Sequence, residues 1–176
     1  GPALRAIPFA REDFSTHIGL QYEAGRDDSD NDALRGLGDM DVGAVALAGV
    51  AYEFGPLEAG LEMAADLTGD RDGVTVAAEL DYALPVFSGR GRLSLTPNVT
   101  WANGDYMQNS FGISAAQAAT SARGFRGFDA NAGFKDAGIE LGLGYQLTDH
   151  WMALGRVGYS RLLGDARDSP LVKDEG

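Results

Sequence analysis

The sequence predicts an all-β protein, an antiparallel up-and-down transmembrane β-barrel. Three observations carry that expectation. Apolar and polar residues alternate over long segments, those segments exceed ordinary strands, and short connections alternate with ones that are longer on the whole, although Gly69–Gly73 is brief. Side chains on a strand point to opposite faces in turn, so alternation makes one apolar and one polar face. The segments match the ~9–11 residues that a tilted strand needs to cross a bilayer, whereas globular strands usually run to about 5–6.

Taken in order, Leu4 to Phe9 is a short apolar stub, followed by a polar turn at Ala10–Asp13. In Phe14–Arg26, residues Phe14, Thr16, Ile18, Leu20, Tyr22 and Ala24 face one way, opposed by Ser15, His17, Gly19, Gln21, Glu23 and Gly25. An aspartate-rich loop, Arg26–Met40, leads to a return strand, Asp41–Phe54, whose alternation is blurred by alanine and glycine. Gly55-Pro56 turns the chain into Leu57–Thr68. A turn at Gly69–Gly73 then precedes Val74–Leu84, and Pro85–Gly91 is read as the next turn. Arg92–Trp101 alternates, weakened by Pro97, which removes a ladder donor and prefers edges or bulges. The long connection Ala102–Ala132 predicts a short helix over Ser114–Ser121, with Ser114 as cap and Gln117 at the capping-box position. Ala137–Leu147, a turn at Thr148–His150 and Trp151–Leu163 complete seven long strands; Gly164–Gly176 reads as a polar loop.

Composition narrows the function. The 176 residues carry a net charge of −12, with a pI near 4.4, which argues against nucleic acid as a partner, since a polyanion would be repelled. There is no cysteine, hence no disulfide framework and no thiolate metal site. No apolar run approaches the ~18 residues of a membrane-spanning helix. A mean hydropathy of −0.15 is what a barrel gives, because its apolar half is hidden in the alternation.

A barrel in water would alternate too, with its apolar face inward. Lipid is favoured by strand length and by a polar face rich in acids and glycines with only Arg92 and Arg156 as clear bases. Aromatics near strand ends, among them Phe14, Tyr22, Tyr52, Phe54, Tyr82, Trp101, Trp151 and Tyr159, suit the girdles found at headgroup level. Outer-membrane barrels have short periplasmic turns and longer outer loops, so Arg26–Met40 and Ala102–Ala132 are expected outside, with Gly55-Pro56 and His150 facing the periplasm.

The expected lumen-facing polar residues are Glu23, Glu58, Glu62, Asp66, Glu79, Asp81, Arg92, Glu140 and Arg156. They could line a cation-preferring path, although pairing of the acids with Arg92, Arg156 or other arginines would plug a narrow interior. Asp28, Asp30 and Asp32 have the opening spacing of a calcium loop, but Ala33 stands where its glycine belongs and Asp39 where its closing glutamate belongs. A solvated acidic loop is the expectation, with no metal and no cofactor. Ser15, His17 and Glu23 share one face and have the residue types of a hydrolase, yet same-face neighbours occur on every strand, so no enzyme is expected.

Three blocks carry a family resemblance: Gly25–Asn31 with Leu34–Asp41, Trp101–Met107 with Phe111–Ile113, and Tyr159–Ala166 with Asp168–Pro170. Together, in this order and spacing, they resemble the MipA/OmpV family of Gram-negative outer-membrane proteins. The resemblance implies a barrel in outer-membrane lipid that acts as a scaffold between periplasmic murein enzymes, a lytic transglycosylase and a murein synthase. The alternative is a channel or transport protein for small polar or cationic solutes. Family members also carry a signal peptide, earlier strands and a strand after the Asp-Ser-Pro loop. Residues 1–176 are therefore expected to form one barrel domain lacking N-terminal strands and a C-terminal strand, its sheet left open.

Overall fold

The computed structural model describes residues 2–24, 42–68, 72–121 and 124–173. The alternating segments form β1 (Ala3–Ala10), β2 (Phe14–Glu23), β3 (Gly43–Phe54), β4 (Leu57–Asp66), β5 (Val74–Val86), β6 (Gly91–Ala102), β7 (Gly133–Gln146) and β8 (Met152–Leu162). Each pairs antiparallel with its neighbour in sequence, giving one 8-stranded sheet in chain order. Among the described residues β1 and β8 are its two edges, and the sheet is not closed. No helix among these residues is long and apolar enough to cross a membrane.

The register sorts the two faces. Tyr22, Ala44 and Phe14, Tyr52 pair across β2 and β3; Val50, Leu61 and Ala78 line up across β3 to β5; Leu95, Leu141 and Val157 do so across β6 to β8. These apolar rows lie on the outside of the sheet, with Tyr22, Tyr52, Val50, Leu61, Leu95, Leu141 and Val157 exposed and Phe14, Ala44 and Ala78 half-buried. Ile18, Leu20, Met63, Leu80, Leu93 and Ile139 all remain open on that face. The opposite face carries most of the polar residues, with apolar exceptions at the loop end of β3, where Val45 and Leu47 are buried, and at the start of β8, where Met152 and Leu154 are exposed.

Several boundaries differ from the sequence reading. The stub Leu4–Phe9 is a full strand with a bulge between Ala6 and Phe9. Pro85 does not turn the chain: it pairs with Arg92, and Val86 with Gly91, so the turn shrinks to Phe87–Arg90. Pro85 is tolerated because the pairing of β5 with β4 ends at Tyr82 and the Ala83 N–H, so its missing N–H falls beyond the last β4 partner; Phe87 and Ser88 then turn the chain at φ of 53° and 55°. β7 begins at Gly133, earlier than expected, because a bulge opposite Thr100 and Trp101 keeps it paired to the end of β6. Pro97 stands in an interior strand; the β5–β6 register skips Leu80 and Asp81 where Pro97 has no N–H to give. The Thr96 hydroxyl instead donates to Asp81 Oδ1 at 3.1 Å.

The connections at the loop end hold the helices. In α1 (Gly104–Phe111) the Asn103 side chain accepts from the Tyr106 N–H, a cap the sequence reading passed over. α2 (Ala115–Thr120) forms as expected, with Ser114 and Gln117 making the reciprocal capping box. The tail expected to be loop instead forms α3 (Gly164–Asp168) and α4 (Pro170–Lys173). Its residues fold back because they have somewhere to bury. Ala166 packs with Ala102, Met107 and Ala130, flanked by Tyr106, Phe111, Phe128 and Leu162, and buried Ser169 donates to the Phe111 carbonyl at 2.7 Å. By register Ala102 and Leu162 lie on the polar side of the sheet, so this cap roofs the polar face at its loop end.

Candidate functional site

The polar face is concave. Arg5 on β1 reaches Glu62 on β4, with Nη2 2.8 Å from Oε2 and donating to Oε1 at 3.2 Å. Three strand spacings separate them, about 14 Å if the sheet were flat. Direct contact requires the sheet to curl with its polar side inward. His17 completes the tie, its Nε2 lying 2.7 Å from the same Glu62 Oε2. The path is cleared by Gly49, which pairs with His17 on one side and Glu62 on the other. A Cβ at Gly49 would collide with the His17 ring and come within 2.7 Å of the Leu61 carbonyl oxygen, so a larger residue would push the imidazole off its partner.

Among the described residues, clefts on this face include three that bear on function. One, about 340 Å³, is bordered by Arg5, Ser15, His17, Glu58, Glu62 and Glu79. A second of about 340 Å³ collects Glu53, Glu58, Asp81 and Arg92 near the Gly55-Pro56 turn. The third, about 380 Å³, lies between β6 and β8 at the turn end and holds Arg90, Arg92 and Arg156. Acids thus predominate over β3 to β5, and arginines over the turn end of β6 to β8.

The expected polar residues fall as follows. Glu58, Glu62, Glu79, Asp81, Arg92, Glu140 and Arg156 lie on the polar face. Arg156 Nη1 stands 3.4 Å from Glu140 Oε1, a long, exposed pair worth little in water. Asp66 sits at the loop end, where its Oδ1 accepts the Thr68 N–H at 2.9 Å and the Thr68 hydroxyl at 2.7 Å. Glu23 is paired through its backbone with Gly43. Asp28, Asp30 and Asp32, and the loop that carries them, lie outside the described residues. Among the described residues no cluster of metal-ligating side chains occurs.

Arg5 is the residue the sequence reading missed. Its signal was present as the one charge inside the apolar stretch Leu4–Phe9, but nothing local says that it reaches β4. His17 has the residue type of a catalytic base, but the structure gives its Nε2 a carboxylate, Glu62, shared with Arg5. His150 is exposed in the turn before β8, its N–H directed to the Thr148 hydroxyl at 3.3 Å.

Outside the sheet, Asp165 Oδ2 accepts from the backbone N–H of Asn131 at 2.8 Å and from its Nδ2 at 3.1 Å. These two donors hold the Asp165 carboxyl below the usual carboxylate range. Lys135, in the β7 bulge, pairs with Asp136 at 2.6 Å and lies 5.7 Å from the Tyr106 ring centre, linking the sheet to the cap.

A family model described as MltA-interacting protein MipA matches residues 3–176. No curated protein and no solved structure matches the chain.

Proposed function

The chain belongs to the MltA-interacting protein MipA family, and from that premise we propose that it is a non-enzymatic outer-membrane barrel protein that holds murein enzymes at the membrane. One observation supports the membrane part above all: the outward face carries continuous rows of exposed apolar side chains, while the concave face is polar. In water such an arrangement would leave far more contiguous apolar surface uncovered than a soluble protein tolerates. In a bilayer it is the expected arrangement.

The family's name supports the partner, a lytic transglycosylase. Partner contacts would fall on the periplasmic side, which the short turns Arg11–Asp13, Gly55-Pro56, Phe87–Arg90 and Leu147–Trp151 mark. The non-enzymatic reading is supported by His17, whose Nε2 is engaged with Glu62 beside Arg5.

Two measurements test this. The chain, expressed in a Gram-negative cell, should fractionate with the outer membrane and shift in electrophoretic mobility on boiling. Crosslinking through residues placed in the Gly55-Pro56 and Thr148–His150 turns should capture a lytic transglycosylase. Reproducible single-channel steps in planar bilayers, without such capture, would replace the scaffold reading with a transport one. Hydrolase turnover lost in Ser15→Ala would overturn the non-enzymatic reading.

A further inference from the structure

The arginine cleft at the turn end has features that the scaffold reading does not use. The chain is strongly acidic, yet three of its arginines border one cavity of about 380 Å³, a volume within the range of small-molecule sites. Arg92 is flanked in its row by Pro85 on β5 and Gly144 on β7, so neither cross-strand neighbour offers it a carboxylate. Among the described residues it forms no ion pair, while Arg156 makes only the long contact to Glu140. Arg90 is anchored at the cleft's edge, donating through Nη2 to the carbonyls of Gln146 at 3.2 Å and Leu147 at 3.0 Å. Among the described residues Asp81 is the one acid on the lining, its Oδ1 accepting from the Thr96 hydroxyl, while Arg92 also borders the neighbouring cleft of Glu53 and Glu58 without an ion pair to either.

The second feature is apolar. Met152 and Leu154 pair with Gln146 and Gly144, which places them on the polar side of β8, where alternation calls for polar residues. They are 63% and 77% exposed and border the same cleft. Gly144 separates Leu154 from Arg92 in one row and Gly142 separates Arg156 from Ser94 in the next, which leaves room for the Leu154 side chain to lie over Gly144.

Guanidinium groups bind carboxylates and phosphates through paired, charge-assisted hydrogen bonds, and a neighbouring apolar strip takes up a hydrocarbon body. We propose that this cleft binds the anionic group, phosphate or carboxylate, of a small amphiphile, with Arg92 and Arg156 on the anion and Met152 and Leu154 against the apolar part. The proposal does not depend on which protein partner the barrel holds.

Calorimetric titration of the full chain in neutral detergent with hexyl phosphate tests it. Saturable binding is expected, weakened by about tenfold or more in Arg92→Gln and in Arg156→Gln, the loss expected for a charge-assisted contact. Arg11→Gln, in the β1–β2 turn and outside the cleft, should bind like the native chain. Displacement of hexyl phosphate by phosphatidylglycerol in mixed micelles supports the proposal with a lipid headgroup as the source. Absence of displacement supports it with a free soluble anion. No saturable binding to the native chain, native-like affinity in both glutamine variants, or equal binding of hexyltrimethylammonium overturns the proposal. Equal affinity for inorganic phosphate overturns its apolar half. Arg92→Lys separates charge from geometry: affinity near that of Arg92→Gln supports paired hydrogen bonding by the guanidinium, and native affinity overturns that role.

Discussion

The sheet and its cap are built from similar residues under opposite rules. On the sheet, Leu20 and Val157 are 55% and 66% exposed on the outward face; in the cap, Ala102 and Met107 are 0% and 1% exposed. The cap is an ordinary small core, with α1, α3 and the ends of β6 and β8 closing over Met107 and Ala166. The sheet keeps its polar groups inside and its apolar groups out. The difference teaches which solvent each region answers to. The cap gains stability by removing carbon from water, whereas between its two edges the sheet's backbone is paired within its ladders and its outer side chains suit the hydrocarbon of the proposed bilayer.

The comparison is broken most severely in the cap. Met107→Ala should cost about 2–5 kcal/mol of cap stability, since a fully buried methionine leaves a cavity. Hydrogen exchange should show lost protection over α1 and α3 with the sheet unchanged, in detergent and lipid alike. Loss of protection spread over the whole sheet would mean that the two regions are one cooperative unit.

Leu141→Arg tests the sheet's side. Leu141 is exposed on the outward face between Leu95 and Val157, so in water the change should be nearly silent. In a bilayer it should cost about 2–4 kcal/mol near the midplane, measured by denaturant titration of the chain folded into vesicles. A cost below that of the same substitution at the exposed loop-end residue Leu67 would reverse the assignment of the outer face.

A smaller effect is expected inside the curl. Glu62→Gln weakens two contacts at once, to Arg5 and to His17, both partly exposed. The loss should be about 1 kcal/mol, felt as loosening of β1 against β4. Distances between spin labels on β1 and β4 should broaden, and those between adjacent β3 and β4 should not.

The smallest prediction returns to the cap. The Asp165 carboxyl is held below its ordinary range by Asn131, so its contribution is complete above the unfolded value and is lost as pH falls through the lowered folded one. Exchange protection of the Asn131 amide should therefore fade only in acid. In Asp165→Asn that pH dependence should disappear.

How much of this was legible follows from range. The two faces of β2, β4, β5 and β7 could be read directly, because a period of two is a property of consecutive residues. The Ser114–Gln117 box was equally local, closing within four residues. Pro85 misled because proline signals a turn on average, whereas here the register with Arg92 extends the strand past it.

By itself, the sequence determined the all-β class, the face that each alternating segment presents and the parity of its short and long connections. Each of these follows from spacing along one chain. Only the tertiary structure decided that Arg5 and His17 share Glu62, that Gly49 keeps their path open, that the tail folds into helices against Met107, and that three arginines meet at one cleft. These contacts join residues far apart in sequence, and what brings them together is the curl of the whole sheet. Curvature is summed over every strand pair and is written in no single segment.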